Sequence, residues 1–171
     1  MLVNIIQNTI SSFRSALAAA SVITTNLKMW LGFETSETLG IELVDNGDFS
    51  DGTTGWSPND STLSVTDNVL EIKADGTGGF GLAQQTISTN SGSSYSLEIK
   101  LKKGTHNADV RVGSSSGGSQ LLVGTEVSST EFVTQKYTFT ALSSSSYIML
   151  RVMNSTINST AYFENISVKE L

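Results

Sequence analysis

At 171 residues, with a net charge of −6 and a pI near 4.6, the chain is one ordinary domain with some excess. It lacks the clustered Lys and Arg that phosphate binding needs, which argues against a nucleic-acid partner. The absence of cysteine excludes disulfide staples, thiolate metal sites and thiol nucleophiles, and 27 serines, 20 threonines and 15 glycines against a single proline favour strands and polar loops over helices.

No run approaches the roughly 18 apolar residues of a membrane span. Leu17-Ala18-Ala19-Ala20-Ser21 has the look of a signal-peptide cleavage region. No basic stretch precedes it, however, and Asn4, Gln7, Asn8, Ser11, Ser12 and Arg14 interrupt what should be a continuous apolar run. Within residues 1–26 the apolar positions Val3, Ile6, Ile10, Phe13, Leu17 and Ala20 are spaced 3, 4, 3, 4, 3, an a/d seam that predicts an amphipathic helix. It could pack on its own domain, or serve self-association or docking on a larger assembly. The second is favoured, because a closed sandwich needs no helix for its core. Ile at both kinds of seam position points to a homotrimer. Residues 27–40 follow as a strand-like segment, with Met29, Leu31 and Phe33 alternating with Lys28, Trp30 and Gly32, and a polar connector.

From residue 41 the pattern is that of short alternating strands. Ile41 to Val44 runs into Asn46-Gly47-Asp48-Phe49, a Gly/Thr turn and Trp56, so the chain reverses twice within a dozen residues. Leu63 and Val65 are expected to point inward, then Leu70, Ile72 and Ala74 with Glu71 and Lys73 outward. Asp75 to Gly79 is a turn before Phe80, Leu82 and Ile87. Tyr95, Leu97, Ile99 and Leu101 alternate with Ser96, Glu98, Lys100 and Lys102, the clearest strand in the chain. Val110 and Val112 mark another strand, and Ser114 to Ser119 reads as a flexible hairpin loop. Tyr137 and Phe139 share a phase. Ile148, Leu150 and Val152 face one way and Tyr147, Met149 and Arg151 the other, and Tyr162, Glu164, Ile166 and Val168 share strand parity at the end.

The opening "NGDF…GW" and the closing Tyr162-Phe163-Glu164-Asn165-Ile166-Ser167-Val168 together resemble family 4/9-type carbohydrate-binding modules. The resemblance covers residues 41–171 and implies an all-β, two-sheet jelly-roll β-sandwich, here with a short N-terminal α-helical extension. It further implies a structural Ca²⁺ held by Asp48, the Gly47 carbonyl and Glu164, oxygen ligands of the kind that ion takes. A hydrogen bond from turn backbone or a lysine to Glu164, which departs from the family's Asp, is the equal alternative. In such modules Trp56 is a packing residue. Tyr147 and Arg151 could line a glycan surface, although an outer sheet face or a subunit contact is the plainer reading, since no second aromatic stripe joins them.

An enzyme is not expected. His106 is the single histidine and falls in a loop, so neither a nucleophilic triad nor a zinc site can be assembled in the usual way. The helix, the segment after it and the jelly roll together look like small virion proteins of tailed phages. The chain is expected to be complete from Met1, without room for the catalytic chain that usually accompanies a binding module. The leading expectation is therefore a virion structural protein at the particle surface, a capsid decoration, cement or fibre protein acting as a homo-oligomer with capsid or other virion proteins as partners. A carbohydrate-binding module recognising a glycan or host-surface polysaccharide is the alternative.

Overall fold

The computed structural model describes residues 40–171. The expected helix with its seam Val3, Ile6, Ile10, Phe13, Leu17 and Ala20, and the segment from residue 27 up to residue 39, lie outside the described residues.

The described chain is all-β. Its ten strands are β1 (Ser57–Asn59), β2 (Ser61–Thr66), β3 (Val69–Ala74), β4 (Leu82–Ser88), β5 (Ser94–Lys103), β6 (Ala108–Gly113), β7 (Leu122–Val123), β8 (Val133–Thr140), β9 (Ser145–Val152) and β10 (Thr160–Glu170). They form two antiparallel five-stranded sheets, β2–β3–β10–β5–β8 and β1–β4–β9–β6–β7, the layering of a jelly-roll sandwich. No helix among the described residues is long and apolar enough to cross a membrane.

Alternation decides which residues make the core. Leu70 and Ile72 of β3, Leu97, Ile99 and Leu101 of β5, Val110 and Val112 of β6, and Ile148, Leu150 and Val152 of β9 are all completely buried. Each such side chain contributes about 1.5–3 kcal/mol relative to an exposed one. The intervening residues form the outer faces. Tyr95 stacks on Phe139 at 5.4 Å between ring centroids, and its hydroxyl accepts a bond from Asn90 N–H at 2.7 Å.

The Asn46 to Trp56 loop is built around one side chain. Asn46 sits at a left-handed φ of 48°, which its short polar side chain tolerates. Its Nδ2 donates to the carbonyls of Gly52 and Thr54, and its Oδ1 accepts from Asp51 N–H. Phe49 is thereby turned inward, fully buried, with its ring 5.7 Å from that of Trp56. Trp56 is itself a core residue, as its place in the motif implies. Gln85, inward-facing on β4, fastens this loop to the second sheet: its Oε1 accepts from Asp45 N–H and its Nε2 donates to the carbonyls of Asp45 and Gly55.

The last strand departs from the expected parity. Glu164 pairs with Lys100 and Ser167 with Glu98, so one extra residue is taken up between them. This β-bulge is centred on Asn165, whose φ is 50°, and it turns the strand by one residue. Ala161, Phe163, Ile166 and Val168 are the buried set, while Tyr162 and Glu164 lie on the outer face. Ile166 N–H donates to the Gly47 carbonyl at 2.9 Å, which clasps the opening turn to the bulge. A Cβ on Gly47 would stand 2.1 Å from the Ile166 carbonyl oxygen, so the clasp has room only for glycine.

Candidate functional site

Gly47 and Asp48 line one cavity with Glu42 and Ile166, but Glu164 does not join them. The bulge leaves the Glu164 carboxylate on the outer face of the first sheet, 3.3 Å from Lys100 Nζ, which is the lysine-bound alternative of the sequence reading. Asp48 turns to Ser50, whose backbone N–H first and hydroxyl second bond to it and hold its carboxyl below the usual carboxylate range. The Gly47 carbonyl already accepts from Ile166. The carboxylate that shares a surface cavity with Gly47, Asp48 and Ile166 is Glu42, whose Oε1 accepts the N–H groups of Leu43, Val44 and Val168 and whose Oε2 accepts from Ser167 Oγ at 2.5 Å. A hard cation with six to eight oxygen ligands is therefore not met by the expected set. Among the described residues, no group of three or more His, Cys, Asp or Glu side chains is placed to hold a metal ion. His106 lies in the β5–β6 loop with its Nδ1 3.2 Å from Thr105 Oγ1.

Tyr147 and Arg151 do share a surface, the outer face of the β1–β4–β9–β6–β7 sheet. The register lines its residues up in three rows. Asn59, Leu82, Arg151 and Asp109 form the first, Ser57, Gln84, Met149, Arg111 and Val123 the second, and Thr86, Tyr147 and Gly113 the third. Arg151 and Tyr147 are four positions apart, a separation of about 13 Å along the strand.

The chemistry of this face is concentrated at Asp109. Its side chain is fully buried although it points away from the core, because two arginines cover it. Arg151 donates from Nε to Oδ1 at 2.8 Å and from Nη2 to Oδ2 at 2.7 Å, a bidentate fork. Arg111 Nε donates to Oδ2 at 3.0 Å. Phe80, 43 % exposed, lies against the Arg151 guanidinium with its ring centroid 5.2 Å away, a cation–π contact. Carboxylate and ring together fix Arg151 in one orientation.

The β6–β7 loop leans over the other half of the face. Ser116 Oγ and Gly117 N–H both donate to Gln84 Oε1, at 3.0 and 3.2 Å. Gly113 lies so close beneath the loop that a Cβ there would stand 2.3 Å from the Gly118 oxygen. Met149, outward-facing beside Gln84, is only 1 % exposed. The loop expected to be a free hairpin connection is thus tied down on the sheet.

Sequence reasoning missed Asp109, Arg111, Gln84 and Phe80. The signal was present in Asp109-Val110-Arg111-Val112, whose alternation puts the two charged residues on the face opposite the valines. On the first sheet's outer face, Lys102 Nζ lies 4.5 Å from the Phe132 ring centroid and 5.5 Å from that of Tyr162. Burial, and then the hydrogen bond and charge of Glu71, push the Tyr162 phenol above its ordinary value.

No protein-family model and no curated protein matches the chain. Solved structures do. A family 4 carbohydrate-binding module (CBM4) is 17% identical with a TM-score of 0.61, over 75% of this chain and 99% of that one. The N-terminal cellulose-binding domain of Cellulomonas fimi β-1,4-glucanase C is 15% identical with a TM-score of 0.58, over 77% of this chain and 98% of that one. The enzymatically active domain of bacteriophage CBA120 tailspike protein 4 is 17% identical with a TM-score of 0.57, over 77% of this chain but only 22% of that one. At these identities the likeness establishes the fold: the described residues have the jelly-roll sandwich of carbohydrate-binding modules.

Proposed function

We propose that this chain is a glycan-binding module and that the part of the outer face of the β1–β4–β9–β6–β7 sheet left open by the β6–β7 loop is its recognition surface. The order of the two sequence expectations is thereby reversed. The fold likeness to carbohydrate-binding modules supports the class, and the observation that carries the location is the immobilised Arg151. Held by Asp109 on one side and Phe80 on the other, it presents its remaining donors without having to be ordered on binding, which is where preorganised sites gain affinity. Tyr147, half-buried in the third row, adds an aromatic ring of the kind that contributes contact area at low entropic cost.

Affinity gels cast with a panel of polysaccharides test this. The protein is expected to be retarded by at least one of them, and Tyr147→Ala and Arg151→Gln are each expected to weaken retention about tenfold, the usual effect of removing a contact worth more than 1 kcal/mol. Retention by none, or retention indifferent to both substitutions, would overturn the reading.

A structural role in a virion is the second reading, favoured by the likeness to a phage tailspike domain. It places self-association in Val3, Ile6, Ile10, Phe13, Leu17 and Ala20. Light scattering should then give a trimeric mass for the wild type and about one third of it for Ile10→Asp with Phe13→Asp, since charges in an apolar seam oppose association. A monomeric wild type would remove this role for the seam.

A further inference from the structure

Asp109 is one carboxylate shared by two guanidinium groups, so the cluster carries a net charge of +1 within a chain whose net charge is −6. Three N–H bonds from Arg111 and Arg151 reach its two oxygens. Among the described residues, Nη1 of Arg151 and both Nη atoms of Arg111 make no hydrogen bond to the protein. The acidic residues that follow the two edge strands of this sheet in the chain, Asp60 after β1 and Glu126 after β7, are engaged elsewhere: Asp60 accepts from Thr77 Oγ1 and Glu126 from Asn107 Nδ2. Neither comes within ion-pairing distance of the two arginines.

That balance selects a kind of ligand. A sugar hydroxyl both donates and accepts, and is best met by a mixture of donors and acceptors. At the cluster the Asp109 oxygens already hold three N–H donors, and the unoccupied atoms of the two arginines are donors only. The group that complements a set of guanidinium donors is an acceptor-only, planar anion, and a carboxylate fits the guanidinium fork in two parallel bonds. We infer that the face takes a uronic-acid-containing polysaccharide, with a sugar carboxylate received by the free Nη groups of Arg111 and Arg151 and the exposed part of Phe80 against the ring beside it. The inference rests on the reading of this face as a glycan site and adds its substrate class.

The test uses the full chain in affinity gels containing alginate, polygalacturonate or hyaluronan, each run beside its carboxyl-reduced form. Xylan and a mixed-linkage β-glucan serve as neutral chains, and polyglutamate as a polyanion without sugar rings. Retardation by at least one acidic chain is expected, lost on carboxyl reduction and weakened about tenfold by Arg111→Gln, the scale of one hydrogen-bonded charged contact. Arg111→Lys keeps the charge and loses the fork. With an unchanged melting temperature it should still bind several-fold more weakly than the wild type. Equal retention by reduced or neutral chains would overturn the acidic class and leave the glycan face standing. Equal retention by polyglutamate would reduce the effect to ion exchange and overturn it as well. Retention by no chain at all would overturn both this inference and the glycan reading beneath it.

Discussion

Replacing Asp109 by leucine is expected to lower the free energy of unfolding by about 3–5 kcal/mol, the range for removing one partner of a buried ion pair. The loss does not come from the carboxylate's own burial, which is unfavourable taken alone. It comes from what is left behind: two guanidinium groups side by side on one sheet face with nothing between them. Arg111, whose side chain is 24 % exposed, can swing towards water. Arg151, at 12 % and packed against Phe80, has less freedom to do so. Asparagine should rescue little, because its NH₂ group would face a guanidinium donor where an acceptor is needed. Removing both arginines as well should restore part of the loss, since an apolar replacement for a whole buried charge cluster is often neutral. Urea unfolding followed by tryptophan fluorescence measures all four proteins. A loss below about 1 kcal/mol, the scale of a surface pair, would show that Asp109 does not hold the face together.

The second large effect is expected at Phe49, where alanine should cost about 3–5 kcal/mol, as for other fully buried aromatic truncations. The ring fills the space between the opening loop and Trp56. Its backbone, at a φ of 56°, is held in a conformation that side chains rarely adopt. Alanine keeps that strain and loses the ring. Glycine loses the ring but relieves the strain, so Phe49→Gly should be no worse than Phe49→Ala and up to about 1 kcal/mol milder. The same urea experiment decides it, and a glycine variant clearly less stable than the alanine one would mean that the left-handed turn carries no strain.

Much of the sandwich was legible from alternation alone. Leu97, Ile99 and Leu101, or Ile148, Leu150 and Val152, can only bury themselves in one phase, and the turn residues between strands say where that phase restarts. The two reversals between Asn46 and Trp56 were legible from their Asn-Gly and Asp-Gly dipeptides, but not that they turn Phe49 inward. The bulge at Asn165 was not. Parity counting assumes two residues per repeat, and one inserted residue moved Glu164 away from the clasp and beside Lys100. The only local hint was an asparagine, a residue that accepts a left-handed φ, inside an otherwise regular strand. The Asp109 cluster was half legible: alternation placed its members outward, but pairing β6 with β9 is a long-range event that no local pattern announces. Gln85 was hidden too, since a polar residue on an inward position looks like an error until the loop backbone it binds is in place.

The segment around Glu42 lies antiparallel to the end of β10, with Gly40 N–H bonded to the Glu170 carbonyl and Leu43 N–H to that of Val168. The chain therefore enters and leaves the sandwich side by side at one end. Tension applied between these two points would open those bonds one after another, as a zipper opens, instead of loading them together in shear. A load arriving through the Arg111–Asp109–Arg151 face would instead be shared across the central strands of a complete sheet.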